Sequence, residues 1–422
     1  MNLYDNLQIW HFKRAKVQKN LEVCKYFRTF VKISVKTMTS NPNKRVLIGM
    51  SGGIDSTVAA ILLQEQGYEL VGATFRSFDP PTSSADAASP KSCASEQSII
   101  DAQQMAASLG IEHHVLDFRE SFREHVIGNF VSEYVCGRTP NPCVVCNSHI
   151  KWGKLMEAAD KYGCDLIATG HYAQIAEHRG HTYLKTAADI QKDQTYFLWM
   201  LTEENLRRTI FPLGGLTKAQ VRQIAFDHGY VALSKKSESQ DICFIPNNDY
   251  RTFLLQHGVT IDKGEYVDAA GKVLGMHQGY CHYTIGQRKG LGIALGSPKF
   301  VTKIDAQSNR VTLGEREDLL TNEAMIANIR VRDWEWLKES PKVQARIRYK
   351  SPAAEAEIRL LGDEVKGEEA KGREAKGDKA KGDKAKGDKA MICFGEKVWG
   401  VTPGQSLVIY KDGLVIGGGI IQ

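Results

Sequence analysis

No stretch of this 422-residue sequence approaches the ~20 consecutive apolar residues needed to cross a bilayer, and nothing near its start has the charged, apolar, small-residue order of a secretory signal. A cytoplasmic protein with no membrane partner is expected. Cysteines are few and odd in number, nine in all, which in a long chain without such a signal argues against a secreted disulfide framework and for thiols, metal ligands or redox chemistry. A general basic field is also lacking, although the formal net charge is +6. Residues 1–37 hold eight Lys or Arg against Asp5 and Glu22, a net +6, and residues 366–390 hold nine against six acids, a net +3. Taking both from the total leaves −3 for the rest. Any surface for a polyanion must therefore be a local patch.

What is present is ordinary for a soluble chain of two or three domains: 42% hydrophobic and 25% charged residues. Residues 1–43 read as a basic extension without a motif. A presequence would carry more than Arg14 and Arg28, and Met38 offers an internal start, so the extension is expected to be dispensable. From Arg45 the pattern becomes regular, with strands at Val46–Ile48, Leu70–Phe75, His114–Leu116 and Asp165–Ala168. Helices at Thr57–Gln66, Ser95–Leu109 and Ser148–Tyr162 alternate with them, around a polar loop at Pro80–Pro90. This order predicts an α/β fold with a doubly wound parallel sheet over residues 44–249, whose ligands bind beyond the C-terminal strand ends.

Beyond about Tyr250 glycines and short alternating apolar runs predict a small central domain, 250–302, and a C-terminal β-barrel, 303–422. Phe300–Ile304, Arg310–Leu313, Val343–Tyr349, Ala356–Leu361 and Ser406–Tyr410 read as its strands. Residues 366–390 are five pentads, KGEEA, KGREA and KGDKA three times. Glycine in every unit costs a helix ~1 kcal/mol each, so the segment reads as a solvated insert between strands.

The first strand ends in Gly49-Met50-Ser51-Gly52-Gly53-Ile54-Asp55-Ser56 and a helix follows. Backbone N–H groups and a helix N-terminus then surround one point and bind anions; two glycines admit phosphate, Ser51 and Ser56 can donate, and Asp55 can help organise Mg2+. The Lys of GxxxxGK[ST] is missing, which excludes an ordinary Walker loop. These residues resemble the PP-loop ATP pyrophosphatase family, whose loop reads SGGxDS. That resemblance implies ATP as substrate, with pyrophosphate as leaving group.

Two cysteine segments discriminate further, Thr139–Asn147 with Cys143 and Cys146, and Glu238–Phe244 with Cys243. A persulfide carrier needs a thiolate and a second thiol to release the sulfur. Cys146 and Cys243 are 97 residues apart, so only folding could bring them together. Cys143-x-x-Cys146 could also be half of a zinc site, though no second CxxC completes it, and Cys243 before Phe244-Ile245 could be a core thiol. With their flanks, PNPxxxCN, ATGHYA (168–173), KDQTYFL (192–198), ESQDICFI (238–245), YTIGQRKGLGI (283–293) and VTPGQ (401–405), the chain resembles the bacterial-type tRNA-specific 2-thiouridylases from Arg45 to its end.

The resemblance implies an adenine nucleotide alpha hydrolase-like fold and a sulfurtransferase that thiolates C2 of the wobble uridine, position 34, of tRNA. Gly49–Ser56, Phe75 and Gly170 would lie at ATP. Asn141, Pro142 and Cys143 would border the target base, Cys146 would be the nucleophilic thiol and Cys243 the persulfide carrier. His171, Lys192, Asp193, Gln194, Arg348, Tyr349 and Gln405 would meet tRNA. Mg2+ would accompany ATP, and a cysteine desulfurase or sulfur-relay protein would supply the sulfur. Arg346, Arg348, Tyr349 and Lys350 interleave charge with an aromatic, as phosphate contact and base stacking require, or as a solvated strand face would. Two other classes share the loop's chemistry: a PP-loop ligase or amidotransferase making a small amide, and a nucleotide-switched RNA-binding protein without catalysis.

Overall fold

A computed structural model describes residues 44–78, 96–235, 242–245, 249–361 and 389–422. The basic extension, the polar loop at 80–90, the start of the second cysteine motif at 238–241 and nearly all of the pentad insert lie outside the described residues.

The first unit is built on β1 (Arg45–Gly49), β2 (Glu69–Arg76), β3 (Glu112–Asp117), β4 (Leu166–Ala168) and β7 (Thr209–Ile210), all parallel, in the order β3-β2-β1-β4-β7. β1 sits near the centre, so it is covered on both faces and reads as an unbroken apolar run. Leu47 packs with Trp152, Leu155 and Ile167 on one side. Val46 and Ile48 pack on the other with Val58 and Leu62 of α1 (Ile54–Glu65) and Ala102 of α2 (Glu96–Ser108). The expected doubly wound sheet is thus present. Its strand order reverses at β1, between β2 and β4, which opens a crevice at their C-terminal ends.

The helix expected from Ser148 begins earlier. Helical backbone runs without a break through Pro142–Val145, a wider π turn at Cys146–Lys154, and Leu155–Lys161. Pro142 takes the first helical position, where its missing N–H costs nothing. Cys146 therefore lies on a helix.

The second unit is a four-stranded sheet in the order β10-β11-β8-β9, made of β8 (Gly264–Val267), β9 (Val273–His277), β10 (Phe300–Asp305) and β11 (Arg310–Gly314). The boundary expected at 302/303 falls inside β10, and β10 and β11 belong here rather than to the barrel. Short alternating strands carry no mark of which sheet they join; pairing of β11 with β8 decides it.

The third unit is a closed barrel of β12 (Leu320–Val331), β13 (Lys342–Arg346), β14 (Ala354–Leu361), β15 (Lys389–Trp399), β16 (Ser406–Lys411) and β17 (Leu414–Ile421), with β12 pairing β17 to shut it. β13 ends at Arg346, so Arg348 and Tyr349 stand on a turn, not on the expected strand. A hairpin of the first unit, β5 (Gln174–His178) and β6 (His181–Lys185), extends the barrel sheet through β17, where Val415 pairs with Leu184. The barrel is thereby hydrogen-bonded to the unit that carries the crevice.

One tight approach holds the crevice wall. Gly214, between β7 and the helix Lys218–Asp227, leaves no room for a side chain, because a Cβ there would overlap the Ala173 carbonyl. Gly214→Ala should lower stability by about 1–3 kcal/mol through overpacking. Urea unfolding would show it as a lower midpoint at unchanged slope, and an unmoved midpoint would mean the wall is not closed there.

Candidate functional site

The crevice is framed by two glycines. Gly52 has φ +67°, and a Cβ on it would sit 2.6 Å from the Asp101 Cβ. Gly170, just past β4, lies so near the start of α1 that a Cβ would be 2.8 Å from the Asp55 carbonyl carbon and 2.9 Å from the Ser56 nitrogen. Between them the Ser51–Ser56 loop is shaped from within: the Ser56 hydroxyl accepts from Ser51 N at 3.2 Å and donates to the Gly53 carbonyl at 3.1 Å. Gly53 caps α1 with no side-chain hydrogen bond. A twelve-residue helix thus presents its N-terminus to the crevice beside the exposed Ser51, the arrangement that holds phosphate. Phe75 stands at the neighbouring end of β2, its ring 5.2 Å from Phe118.

Asp55 is engaged by two residues the sequence reading passed over. The buried Lys218 bonds both carboxylate oxygens, at 2.7 and 2.8 Å, and the Tyr172 hydroxyl donates to one at 2.8 Å. Lys218 starts the helix capped by Thr217, which follows Gly214. A Thr-x-x-Gln capping box was visible in the sequence, but nothing there told that its next residue would cross to Asp55.

Cys143 is exposed, and Cys146 and Cys243 are partly buried. Cys146 and Cys243 pack against one aromatic cluster that contains Phe122, Phe130, Phe244 and Phe253. Phe244, next to Cys243, meets Phe122 edge-on at 5.5 Å and Phe130 at 5.4 Å. Folding therefore brings the two thiols to the same core. Cys146 is fixed from its other neighbour, since the buried Asn147 donates to the Phe197 carbonyl at 3.0 Å.

Of the residues expected at tRNA, Gln405 meets the start of that helix. Gln405 donates to the carbonyls of Thr139 and Pro140 at 3.1 and 2.9 Å, and Thr139 N donates to the Pro403 carbonyl at 2.8 Å. The barrel thus grips the segment that leads into Asn141, Pro142 and Cys143. Tyr349 lies 4.3 Å from the Phe197 ring, and Arg348 donates to the Trp399 carbonyl at 2.8 Å beneath its indole. Asp193 and Gln194 are engaged by protein partners. Asp193 is buried and accepts from Ala187 N, Thr195 Oγ1 and Arg346 Nη1, while Gln194 Oε1 accepts from Tyr172 N at 2.8 Å. Lys192, beside them, is half-buried.

His171 is turned inward. Its Nδ1 lies 2.8 Å from Thr169 Oγ1 and its Nε2 3.3 Å from Lys151 Nζ, with Trp152 and Phe211 around the ring. Burial, and then the Lys151 charge, push the imidazole well below the ordinary 6.5. Nε2 therefore keeps its lone pair toward Lys151, and Nδ1–H donates to Thr169. His149, three residues beyond Cys146, is also lowered, by burial, then by His125 stacked 5.1 Å away, and by Arg330.

Known proteins resemble this chain over most of its length. Residues 44–247 match the family model described as tRNA methyl transferase HUP domain, 251–315 its PRC-barrel domain, and 369–421 an aminomethyltransferase beta-barrel domain. A tRNA-specific 2-thiouridylase MnmA of Cytophaga hutchinsonii is 43% identical over 90% of this chain and 97% of its own length. Its namesake from Halothermothrix orenii is 44% identical over 90% and 99%. Among solved structures, a 4-thiouridine synthetase–RNA complex with bound ATP covers 50% of each chain at 17% identity and a TM-score of 0.33.

A pH dependence follows from His171 and His149. Both bind a proton less readily when folded than when unfolded, so below about pH 6.5 the unfolded state takes up protons first and stability falls as pH drops. Urea midpoints measured from pH 7 to pH 5 should decline. His171→Asn should flatten the slope by up to one proton; an identical slope would show that His171 titrates normally.

Proposed function

The chain belongs to the tRNA-specific 2-thiouridylase family, and from that premise we propose that it uses ATP to replace the C2 oxygen of the wobble uridine of tRNA with sulfur. The observation that carries the reading is the meeting of a phosphate-holding crevice with a helix that bears Cys146, whose aromatic core also seats Cys243. Methyl transfer, which the labels of the matched domains name, would call for neither the loop nor the thiol pair.

Adenylation of O2 turns a poor leaving group into AMP. The loop Gly49–Ser56 and the α1 N-terminus hold the phosphates, and Gly170 allows the two strand ends to close on them. Cys243 carries the persulfide. Its terminal sulfur bonds C2 as the C2–O bond breaks and AMP leaves with the electron pair. Cys146 thiolate then attacks the Cys243 sulfur, leaving 2-thiouridine and a Cys146–Cys243 disulfide that a cellular dithiol reduces. The exposed Cys143, with Asn141 and Pro142, borders the base, while Arg348, Tyr349 and Lys192 face the tRNA.

Among the described residues no three His, Cys, Asp or Glu side chains converge as a metal site, and both Asp55 oxygens are held by Lys218. Magnesium would arrive on ATP and supply charge neutralisation at the phosphates, and Asp55, shared with Lys218, is the one carboxylate in the loop that would hold it. A cysteine desulfurase or relay protein is the sulfur source, and the setting is cytoplasmic.

Cys146→Ser and Cys243→Ser should each abolish thiolation, read by mass spectrometry of wobble nucleosides, with ATP affinity within about threefold of the parent. Wild-type protein should release AMP and pyrophosphate only when tRNA is present. Full thiolation by Cys243→Ser would overturn the sulfur route, and release driven by a small amine instead of tRNA would favour amide ligation.

A further inference from the structure

Lys151 sits five residues beyond Cys146 on the same π-helical turn and is half-buried. Its ammonium meets the His171 ring nitrogen at 3.3 Å, and among the described residues no carboxylate lies within 4.0 Å of it. The contrast with its neighbours is direct. Lys218, on the other side of the same crevice, is held by Asp55, and Lys154, one turn on, by Glu157. Shielding an ammonium from water without a counter-charge is costly, and a neutral imidazole lone pair satisfies only one of its three N–H groups. An anion that arrives from outside would satisfy the rest.

The surroundings say which anion. His171 follows Gly170, whose backbone touches Asp55 and Ser56 at the phosphate-holding helix start, and Nδ1–H donation to Thr169 keeps the ring fixed. Lys151 therefore links the helix that bears Cys146 to the residue that follows the crevice glycine Gly170. Resting on the proposed thiolation, we propose that Lys151 is a catalytic residue whose ammonium binds a non-bridging oxygen of the ATP α-phosphate during adenylation, with His171 as its positioning residue. In that step the uracil O2 forms a bond to the α-phosphorus. The bond from phosphorus to the α,β-bridging oxygen breaks, pyrophosphate leaves with the electron pair, and the N3 proton passes to water. Charge grows on the α-phosphoryl oxygens as this occurs, which is where a fixed cation lowers the barrier. The same contact helps AMP depart when sulfur attacks.

The experiment measures tRNA-dependent AMP release by the full chain, its ATP affinity, and persulfide loading of Cys243 by a desulfurase, for wild type, K151M, K151Q and K151R. Wild type should release AMP. K151M and K151Q should release it about 100-fold more slowly or worse, with ATP affinity within about tenfold, persulfide loading unchanged and the same thermal midpoint; K151R should recover at least tenfold over K151Q. Wild type should also prefer one diastereomer of ATP thio-substituted at the α-phosphorus, and the preference should collapse in K151Q, which a purely structural role would not produce. AMP release by K151M or K151Q within threefold of wild type, or an intact diastereomer preference, overturns the assignment. Absence of tRNA-dependent AMP from wild type instead defeats the thiolation reading beneath it. Should K151M fail to fold, the comparison of K151R with K151Q decides on the same criteria.

Discussion

The meeting of the end of β4 with the start of α1, where Gly170 lies against the backbone of Asp55 and Ser56, is the contact on which the remaining site geometry depends. It is possible only because β1 and β4 are neighbours at the point where strand order reverses, and because residue 170 carries no Cβ. A side chain at 170 would meet backbone, which cannot swing aside. With the approach in place, Tyr172 and Lys218 reach Asp55 from one side and His171 reaches Lys151 from the other. The phosphate loop is thereby tied to two helices that begin far from it in sequence.

The barrel serves the same site at a distance. Its sheet continues into the β5–β6 hairpin, and the loop between β15 and β16 holds Thr139 and Pro140 through Gln405 and Pro403. Buried bonds reinforce this: Trp199 donates to Ser406 Oγ at 3.0 Å, Tyr196 to the Ser406 carbonyl at 2.8 Å, and Asp193 meets Arg346. Gly418 makes room for Trp199, since a Cβ on it would stand 2.8 Å from the indole. Asp193, which reads as an RNA contact in the linear sequence, fastens the barrel to the first unit through Arg346, while Gln194 ties down Tyr172 within the first unit. Their buried hydrogen bonds explain why such polar residues sit there at all.

Much of the architecture was legible beforehand for a plain reason. Parallel strands buried on both faces write continuous apolar runs, as at Val46–Ile48, and a glycine-rich turn before a helix marks a phosphate site. The barrel strands were legible in kind but not in membership: β10 and β11 look like any half-buried strands, and only pairing with β8 places them in the central sheet. The helix holding Cys146 starts earlier than Ser148 because burial of Val144 and the fit of Pro142 at the first turn override the weak helix propensity of Pro142, Val144 and Val145.

The sequence by itself determined the phosphate loop, the doubly wound sheet and the identity of the sulfur-bearing candidates, since each rests on local residue type and on hydrophobic period. The tertiary structure alone decided that Cys146 and Cys243, 97 residues apart, share one aromatic core, that Asp55 is matched with Lys218, and that Lys151 has an imidazole but, among the described residues, no carboxylate beside it. Those are relations between segments whose spacing in the chain carries no trace of their distance in space. Charge compensation, unlike periodicity, depends on which side chains end up as neighbours after packing.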